Sequence, residues 1–279
     1  MQQIHFTIET NGAKIMALDA DGNGQFIAMT ENGNVIAHDF ITTLKRVRRR
    51  VPLEFRFPSI RRLDQERFLV VDSRSRGDHN GRVFDLEGQE LDSFHLGDAI
   101  EDILVFPDKI VAMYHEEGIY GNLPPSAGGL VVFSRDGKQL WGFNDLVGKG
   151  ILPEDALICD GGPLCRNGTE SVLFFSFPFY PKPRLTELRL DNFEWCLTAV
   201  PEQVGFATAL SPIGETEIIF HLPLSSYLES GQGKFFWWDW QTDDLEELPG
   251  EVSCQITGIG NGRFLARSHV GYMVIDPLA

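Results

Sequence analysis

GQFIAMT at Gly24–Thr30, ERFLVVD at Glu66–Asp72 and DKIVAMY at Asp108–Tyr114 are three settings of one short phrase. It returns as ESVLFFS at Glu170–Ser176, TEIIFHL at Thr216–Leu222 and GRFLARS at Gly262–Ser268. The third residue of each phrase is apolar: Phe26, Phe68, Ile110, Val172, Ile218 and Phe264, at steps of 42, 42, 62, 46 and 46 residues. A period in this range means that one supersecondary unit is stacked on copies of itself. The phrases are rich in β-branched and aromatic residues and bounded by Gly, Asp and Glu, so the unit is built from strands and tight turns.

Each phrase extends into a four-strand pattern. The third repeat shows it most fully: AIEDILVF (Ala99–Phe106), KIVAMY (Lys109–Tyr114), LVVF (Leu130–Phe133) and KQLWGF (Lys138–Phe143). Pro107-Asp108 and Ser134-Arg135-Asp136-Gly137 separate them and accept turn geometry. The second repeat follows the same plan through Arg82-Val83-Phe84, the turn Asp85–Gly88, and Gln89–Phe94. The expected fold is therefore all-β, a six-bladed β-propeller of four-stranded blades. The sixth repeat lacks a fourth strand after Tyr272–Ile275, while Ile4–Ile8 is a spare alternating strand at the other terminus. An open sheet edge is a liability, so the N-terminal strand is expected to complete the last blade. The blades are placed at about 13–52, 53–97, 98–145, 155–201, 204–249 and 252–279 plus 4–8, in one domain spanning 1–279.

The third strand of most repeats closes on an apolar residue followed by Asp: Phe84-Asp85, Leu190-Asp191, Trp238-Asp239 and Ile275-Asp276. An Asp at a strand end can bond the amides of the following turn and fix the hairpin. This pattern resembles the strand-end tryptophan–aspartate of WD40 repeats, and Gly137-Lys138-Gln139-Leu140-Trp141 resembles quinoprotein-type blades. The resemblance covers the whole chain at the level of blade architecture and singles out no family.

Composition narrows the function classes. The chain has 279 residues, 43% of them apolar, and a net charge of −16. That acidity disfavours nonspecific nucleic-acid binding and speeds association with a basic partner. No signal peptide or membrane-length apolar run is present, which predicts a cytoplasmic protein with no membrane partner. Cys159, Cys165, Cys196 and Cys254 lack zinc-ligand spacing and read as free thiols, with Cys159 and Cys165 flanking a turn at Asp160–Leu164. No cofactor is expected.

The loops between second and third strands carry the insertions: Ser73–Asn80, His115–Gly128, Pro178–Pro183 and Pro223–Gly233. Such loops lie on the face that also carries the connections between blades, and one-sided growth marks a functional face. The candidate partner-binding residues are Arg74, Arg76, Asp78, His79, His115, Glu116, Tyr120, Phe179, Tyr180, Tyr227 and Glu229. Aromatic side chains among charged groups have the composition of a protein-binding surface.

Several motifs are assigned structural roles. Asp19-Ala20-Asp21-Gly22-Asn23-Gly24 opens like a calcium loop but has Ile27 and Thr30 where acids are needed, so it is expected to be a hairpin turn. Ser134–Trp141 resembles a sialidase Asp-box with its glycine one position early, again a structural turn. Leu44–Arg50 falls where the first blade needs an outer strand, with Arg46, Arg48 and Arg50 as an anion-site alternative. The aromatic run Phe235–Trp240 reads as a core strand buried on both faces.

The expected function is a protein-binding propeller, a scaffold or an inhibitor of immunity-protein type that masks a basic partner. No nucleophile–base set, metal quartet or phosphate loop is legible. The alternative is a hydrolase resembling the metal-dependent six-bladed lactonases, with Asp98, Glu101, Asp102, Glu154, Asp155 and Asp160 as its acids.

Overall fold

In the computed structural model, the described residues are all but 22–24, 46–54, 75–78, 122–123, 153, 178–182, 225–231 and 269–270. Strand takes 56% of the chain and helix 7%, so the protein is all-β. β1 (Gln2–Phe6) stands apart from the first sheet, which is β2 (Ile15–Ala20), β3 (Phe26–Thr30), β4 (Asn34–Ala37) and β5 (Phe40–Thr43) in that order. The second is β6 (Pro58–Arg62), β7 (Arg67–Asp72), β8 (Gly81–Asp85) and β9 (Glu90–Phe94). The third is β10 (Ile100–Val105), β11 (Lys109–Tyr114), β12 (Leu130–Ser134) and β13 (Gln139–Gly142). A short helix α1 (Glu116–Ile119) follows β11, and α2 (Asn144–Gly148) follows β13.

The fourth sheet is β14 (Asp160–Asn167), β15 (Ser171–Phe177), β16 (Arg184–Arg189) and β17 (Trp195–Ala199). The fifth is β18 (Ala209–Ile213), β19 (Glu217–Pro223), β20 (Gln232–Asp239) and β21 (Asp244–Ser253). The sixth is β22 (Gln255–Gly260), β23 (Arg263–Ser268) and β24 (Gly271–Asp276), completed by β1. These are the six four-stranded antiparallel blades of a β-propeller. Two compact units hold them: Ile8–Ala20 with Gln25–Gly161, which contains the first three sheets, and Met1–Thr7 with Gly162–Ala279.

The N-terminal strand does close the sixth blade. It lies two residues earlier than the sequence suggested, with Gln2 opposite Asp276 and Phe6 opposite Tyr272. The Phe6 and Tyr272 rings stack at 6.2 Å, which pins this register.

Within the unit of the first three blades, apolar faces meet across neighbouring sheets. Phe40, Phe68, Phe84 and Phe55 form a chain of rings with centroids 6.1, 5.7 and 6.5 Å apart. Phe68, from the repeated phrase, is fully buried at its centre. In the other unit β20 serves two clusters at once. Phe235 and Trp237 pack with Phe264 and Ile275, while Phe236 and Trp238 pack with Phe175 and Phe220. The aromatic run is core, because alternate residues of one strand cover both faces. Gly258 allows β22 to approach β18: a Cβ there would collide with the Leu210 carbonyl.

The strand-end aspartates cap their turns. Asp85 accepts the Gln89 amide at 2.7 Å, Asp239 that of Gln241 at 2.8 Å, and Asp276 that of Leu278 at 3.2 Å. Ala20 pairs with Phe26, so DADGNG spans a hairpin connection, of which residues 22–24 lie outside the described residues.

Two local readings are corrected. The outer strand of the first blade is Phe40–Thr43, because His38-Asp39 already turns β4 into β5. The basic run is therefore not that strand, and Arg46, Arg48 and Arg50 lie outside the described residues. The Asp160–Leu164 segment is no turn but the start of β14, so Cys159 and Cys165 sit along one strand region, both buried and not joined by a disulfide.

A half-buried ion cluster ties the first strands of three blades. Arg61 on β6 donates from Nη2 to Asp102 of β10 at 2.5 Å and faces Asp19 of β2 at 3.8 Å. Its Nε and Nη1 donate to the Ile103 and Ile60 carbonyls at 2.5 and 2.7 Å. Burial disfavours its charge, yet the two carboxylates hold the guanidinium above its ordinary range. Burial likewise lifts the Asp102 carboxyl above its usual range, and Arg61 and the Ile103 amide pull it back.

Two predictions follow from these contacts. Arg61→Met leaves the half-buried Asp102 without its cation and should lower unfolding free energy by about 2–3 kcal/mol. Arg61→Met with Asp102→Leu should recover most of that loss in denaturant titrations; a single variant within ~1 kcal/mol of the parent would refute the staple. Deleting residues 2–6 bares the β24 edge, and light scattering should then show self-association with a lower Tm. A monomer of unchanged Tm would show that β1 is dispensable.

Candidate functional site

In the first unit, the second-to-third-strand loops and the connections between blades carry a compact set of charges and rings. His115 is its centre. It follows β11 and precedes α1, with its amide bonded to the Ala99 carbonyl at 2.8 Å. Its Nε2 bonds the Glu101 carboxylate on β10, and its Nδ1 lies 3.7 Å from Asp160 Oδ1 at the start of β14. The bond to Glu101 is the main influence that raises the His115 pKa; burial opposes it, Asp160 adds to it, and Arg74 works against it.

The backbone around His115 is tightly built. Asp160 Oδ1 accepts the Glu116 and Gly161 amides, each at 2.9 Å. Gly161 passes so close to β11 that a Cβ would sit 2.7 Å from the Tyr114 carbonyl. Ala99 adopts φ +54°, a left-handed conformation that costs an L-residue about 1–2 kcal/mol. Asp98 holds it there by accepting the Ala99 amide at 2.8 Å, and Ser126 Oγ accepts the Asp98 amide at 2.8 Å. Strained backbone over-determined by its surroundings is typical of functional sites.

Around this centre, Arg74 forms an ion pair with Glu117 of α1. Tyr120 closes α1 and is 53% exposed, its hydroxyl bonded to the Cys159 thiol; that bond, with burial second, pushes its pKa up to about 12. Phe57, 49% exposed, lies under the Arg56 guanidinium at 5.4 Å, a cation–π contact.

Of the sequence candidates, Arg74, His115, Glu116 and Tyr120 come together. His79 does not: it turns to Ser93 on β9, 3.2 Å from both the carbonyl and the hydroxyl. Arg76, Asp78, Phe179, Tyr180, Tyr227 and Glu229 lie outside the described residues. Arg56 and Phe57 lie outside the candidate loops. Glu117 falls inside a loop already singled out, whereas Phe57 sits in a connection between blades, where spacing gives no signal.

The acids of the hydrolase alternative are dispersed among other duties. Asp102 faces Arg61, Asp98 caps Ala99, and Glu101 and Asp160 address different nitrogens of one ring. The Asp155 side chain lies outside the described residues. Among the described residues, no three His, Cys, Asp or Glu side chains meet in an arrangement that could hold a metal ion.

No family model matches the chain, and no curated protein does. Solved structures do match. The chain is similar to YCF48 bound to D1 peptide, at 11% identity and a TM-score of 0.54, covering 97% of this chain and 81% of that one. It is similar to a catalytically inactive virginiamycin B lyase from Staphylococcus aureus with quinupristin, at 9% identity and a TM-score of 0.50, covering 98% of each. A third match is the extracellular domain of the putative hybrid two component system BT4673 from B. thetaiotaomicron, at 12% identity and a TM-score of 0.54, covering 98% of this chain. The chain spans only 33% of that protein's length. At such identities the likeness is one of fold, and the fold is the β-propeller. Among the described residues, no helix is long and apolar enough to cross a membrane.

His221 contrasts with His115. It is 4% exposed on β19, with Nδ1 3.0 Å from Thr208 Oγ1 and the Phe235 ring, tilted by 57°, at 5.3 Å. Burial lowers its pKa to about 4, so the folded protein keeps it neutral. Below its unfolded pKa of about 6.5, the unfolded chain binds a proton that the folded chain refuses. Stability should therefore be full above pH 6.5 and fall by about 3 kcal/mol toward pH 4. His221→Leu should flatten the slope between pH 6.5 and 5 in urea titrations; an unchanged slope would assign it elsewhere.

Proposed function

We propose that the protein is a propeller interaction module that binds a protein partner with a basic surface through the face of its long loops. The observation that carries this reading is the half-exposed Tyr120 ring closing the turn that carries Glu116 and Glu117, with Arg74 paired to Glu117 and the half-exposed Phe57 accepting the amide of the neighbouring Ser73. Rings of this kind, desolvated against a partner, supply most of the binding energy at interfaces, while surrounding charges set orientation and on-rate. The net charge of −16 would draw in a basic partner from a distance. An inhibitor or immunity-type protein that masks a basic toxin or nuclease is the specific form we favour. The fold is also one on which YCF48 holds a peptide, which supports the reading at the level of architecture. We further propose a cytoplasmic location, where four cysteines outside any disulfide stay reduced.

Affinity capture of the tagged protein at low and high salt tests this. A stoichiometric basic partner should be retained at low salt, weakened at high salt, and bound at least tenfold less tightly by Tyr120→Ala or Phe57→Ala. Absence of any stoichiometric partner, or one indifferent to both substitutions, would overturn the reading.

A further inference from the structure

His115 is placed to do more than decorate the binding face. We propose that its imidazolium is a proton-operated latch that ties β10 to β14, holds the α1 turn in place, and releases that turn when the proton leaves. The regulatory meaning of the latch rests on the partner-binding reading, but the latch itself does not.

The argument is one of counting donors. An imidazolium has two N–H groups, and here each ring nitrogen faces a carboxylate: Nε2 faces Glu101 and Nδ1 faces Asp160. A neutral ring keeps one N–H and presents a lone pair from its other nitrogen. Whichever tautomer forms, one carboxylate then faces a lone pair. The bond to Glu101 is the closer, so Asp160 is the partner that loses its attraction. Asp160 Oδ1 is also the acceptor for the Glu116 amide, the first residue of α1. Movement of that carboxylate is thus passed directly to the turn that carries Glu117 and Tyr120.

Gly118 and Ile119 are buried and anchor the inner side of the turn, so the latch acts on its first residue and its exposed side. α1 has four residues, closed by the Gly118, Ile119 and Tyr120 amides on the carbonyls of His115 and Glu116. The Tyr120–Cys159 bond and the Arg74–Glu117 pair hold its far end and its outer side. The charged groups around His115 are Glu101 from β10, Asp160 from β14 and Arg74 from the loop after β7, with Glu116 and Glu117 on its own turn. Three of the five are carboxylates within the turn or bonded to it, and deprotonation adds one uncompensated charge to that set.

The pH window follows from the sign of the shift. A raised folded pKa means that the stabilisation is complete below the unfolded value of about 6.5 and is lost as pH rises through the folded value. The latch is closed in mildly acidic solution and opens as pH rises through the raised folded value.

NMR of the full chain tests it. The His115 ring is titrated from pH 5.5 to 9, and amide exchange of Glu116 and Tyr120, corrected for base catalysis, is measured on both sides of its midpoint. The midpoint should lie above 6.5, with corrected protection at least tenfold lower beyond it. Asp160→Asn keeps an acceptor for the Glu116 amide but removes the charge; it should lower the midpoint and abolish most of the pH dependence. His115→Gln should abolish all of it, and Asp160→Asn serves alone if that variant does not fold. A midpoint at or below 6.5, or equal protection on both sides, would overturn the latch. With a partner in hand, affinity that is flat in pH while the turn opens would overturn its regulatory role and leave the partner-binding reading standing.

Discussion

A four-stranded sheet of apolar residues has two faces to bury and two edges to satisfy, and this chain answers with repetition. Within each unit, neighbouring blades cover one another's faces, so the middle strands lose the usual alternation and become apolar throughout. Trp238 and Phe235 on β20 point into different clusters, and neither cluster could form from one blade alone. The remaining edge problem is met at the terminus, where β1 adds the missing outer strand to β24. Once faces and edges are settled in this way, chain geometry is exhausted by the scaffold. What varies from blade to blade is loop length, which leaves the loops as the place where function can be written.

Much of this was legible because its causes are local. A repeated strand phrase, Gly- and Asp-rich turns and strand-end aspartates act over a few residues, and Asp85, Asp239 and Asp276 cap the turns their positions imply. The misreadings arose where a local signal was ambiguous. His38-Asp39 lacks the apolar residue that precedes Asp at the other strand ends, so the turn it forms into Phe40–Thr43 is less conspicuous than the basic run beyond. Gly161, Gly162 and Pro163 suggested a turn between two cysteines, but the close approach of Gly161 to the Tyr114 carbonyl makes glycine a strand requirement there.

The site was legible only as a neighbourhood. One-sided insertion pointed to the loop after β11, and His115, Glu116 and Tyr120 do gather there. Its chemistry depends on Glu101 and Asp160, which approach His115 from two different blades, and no spacing in the sequence joins them. The same holds for Arg61, whose carboxylates come from the strands on either side. Two histidines show what environment decides. His221, walled in by Phe235 and Thr208, is held neutral, whereas the carboxylates beside His115 favour its charged form. Residue type alone distinguishes neither.

The central claim is that function resides on the face of the long loops and is anchored around His115 and Tyr120. Hydrogen–deuterium exchange of the protein with and without its captured partner tests it most directly. The account predicts new protection at residues 56–57 and 115–121, with the short turns at 64–67, 86–89 and 135–138 unchanged. Protection confined to those short turns would place the interface on the opposite face and contradict the account.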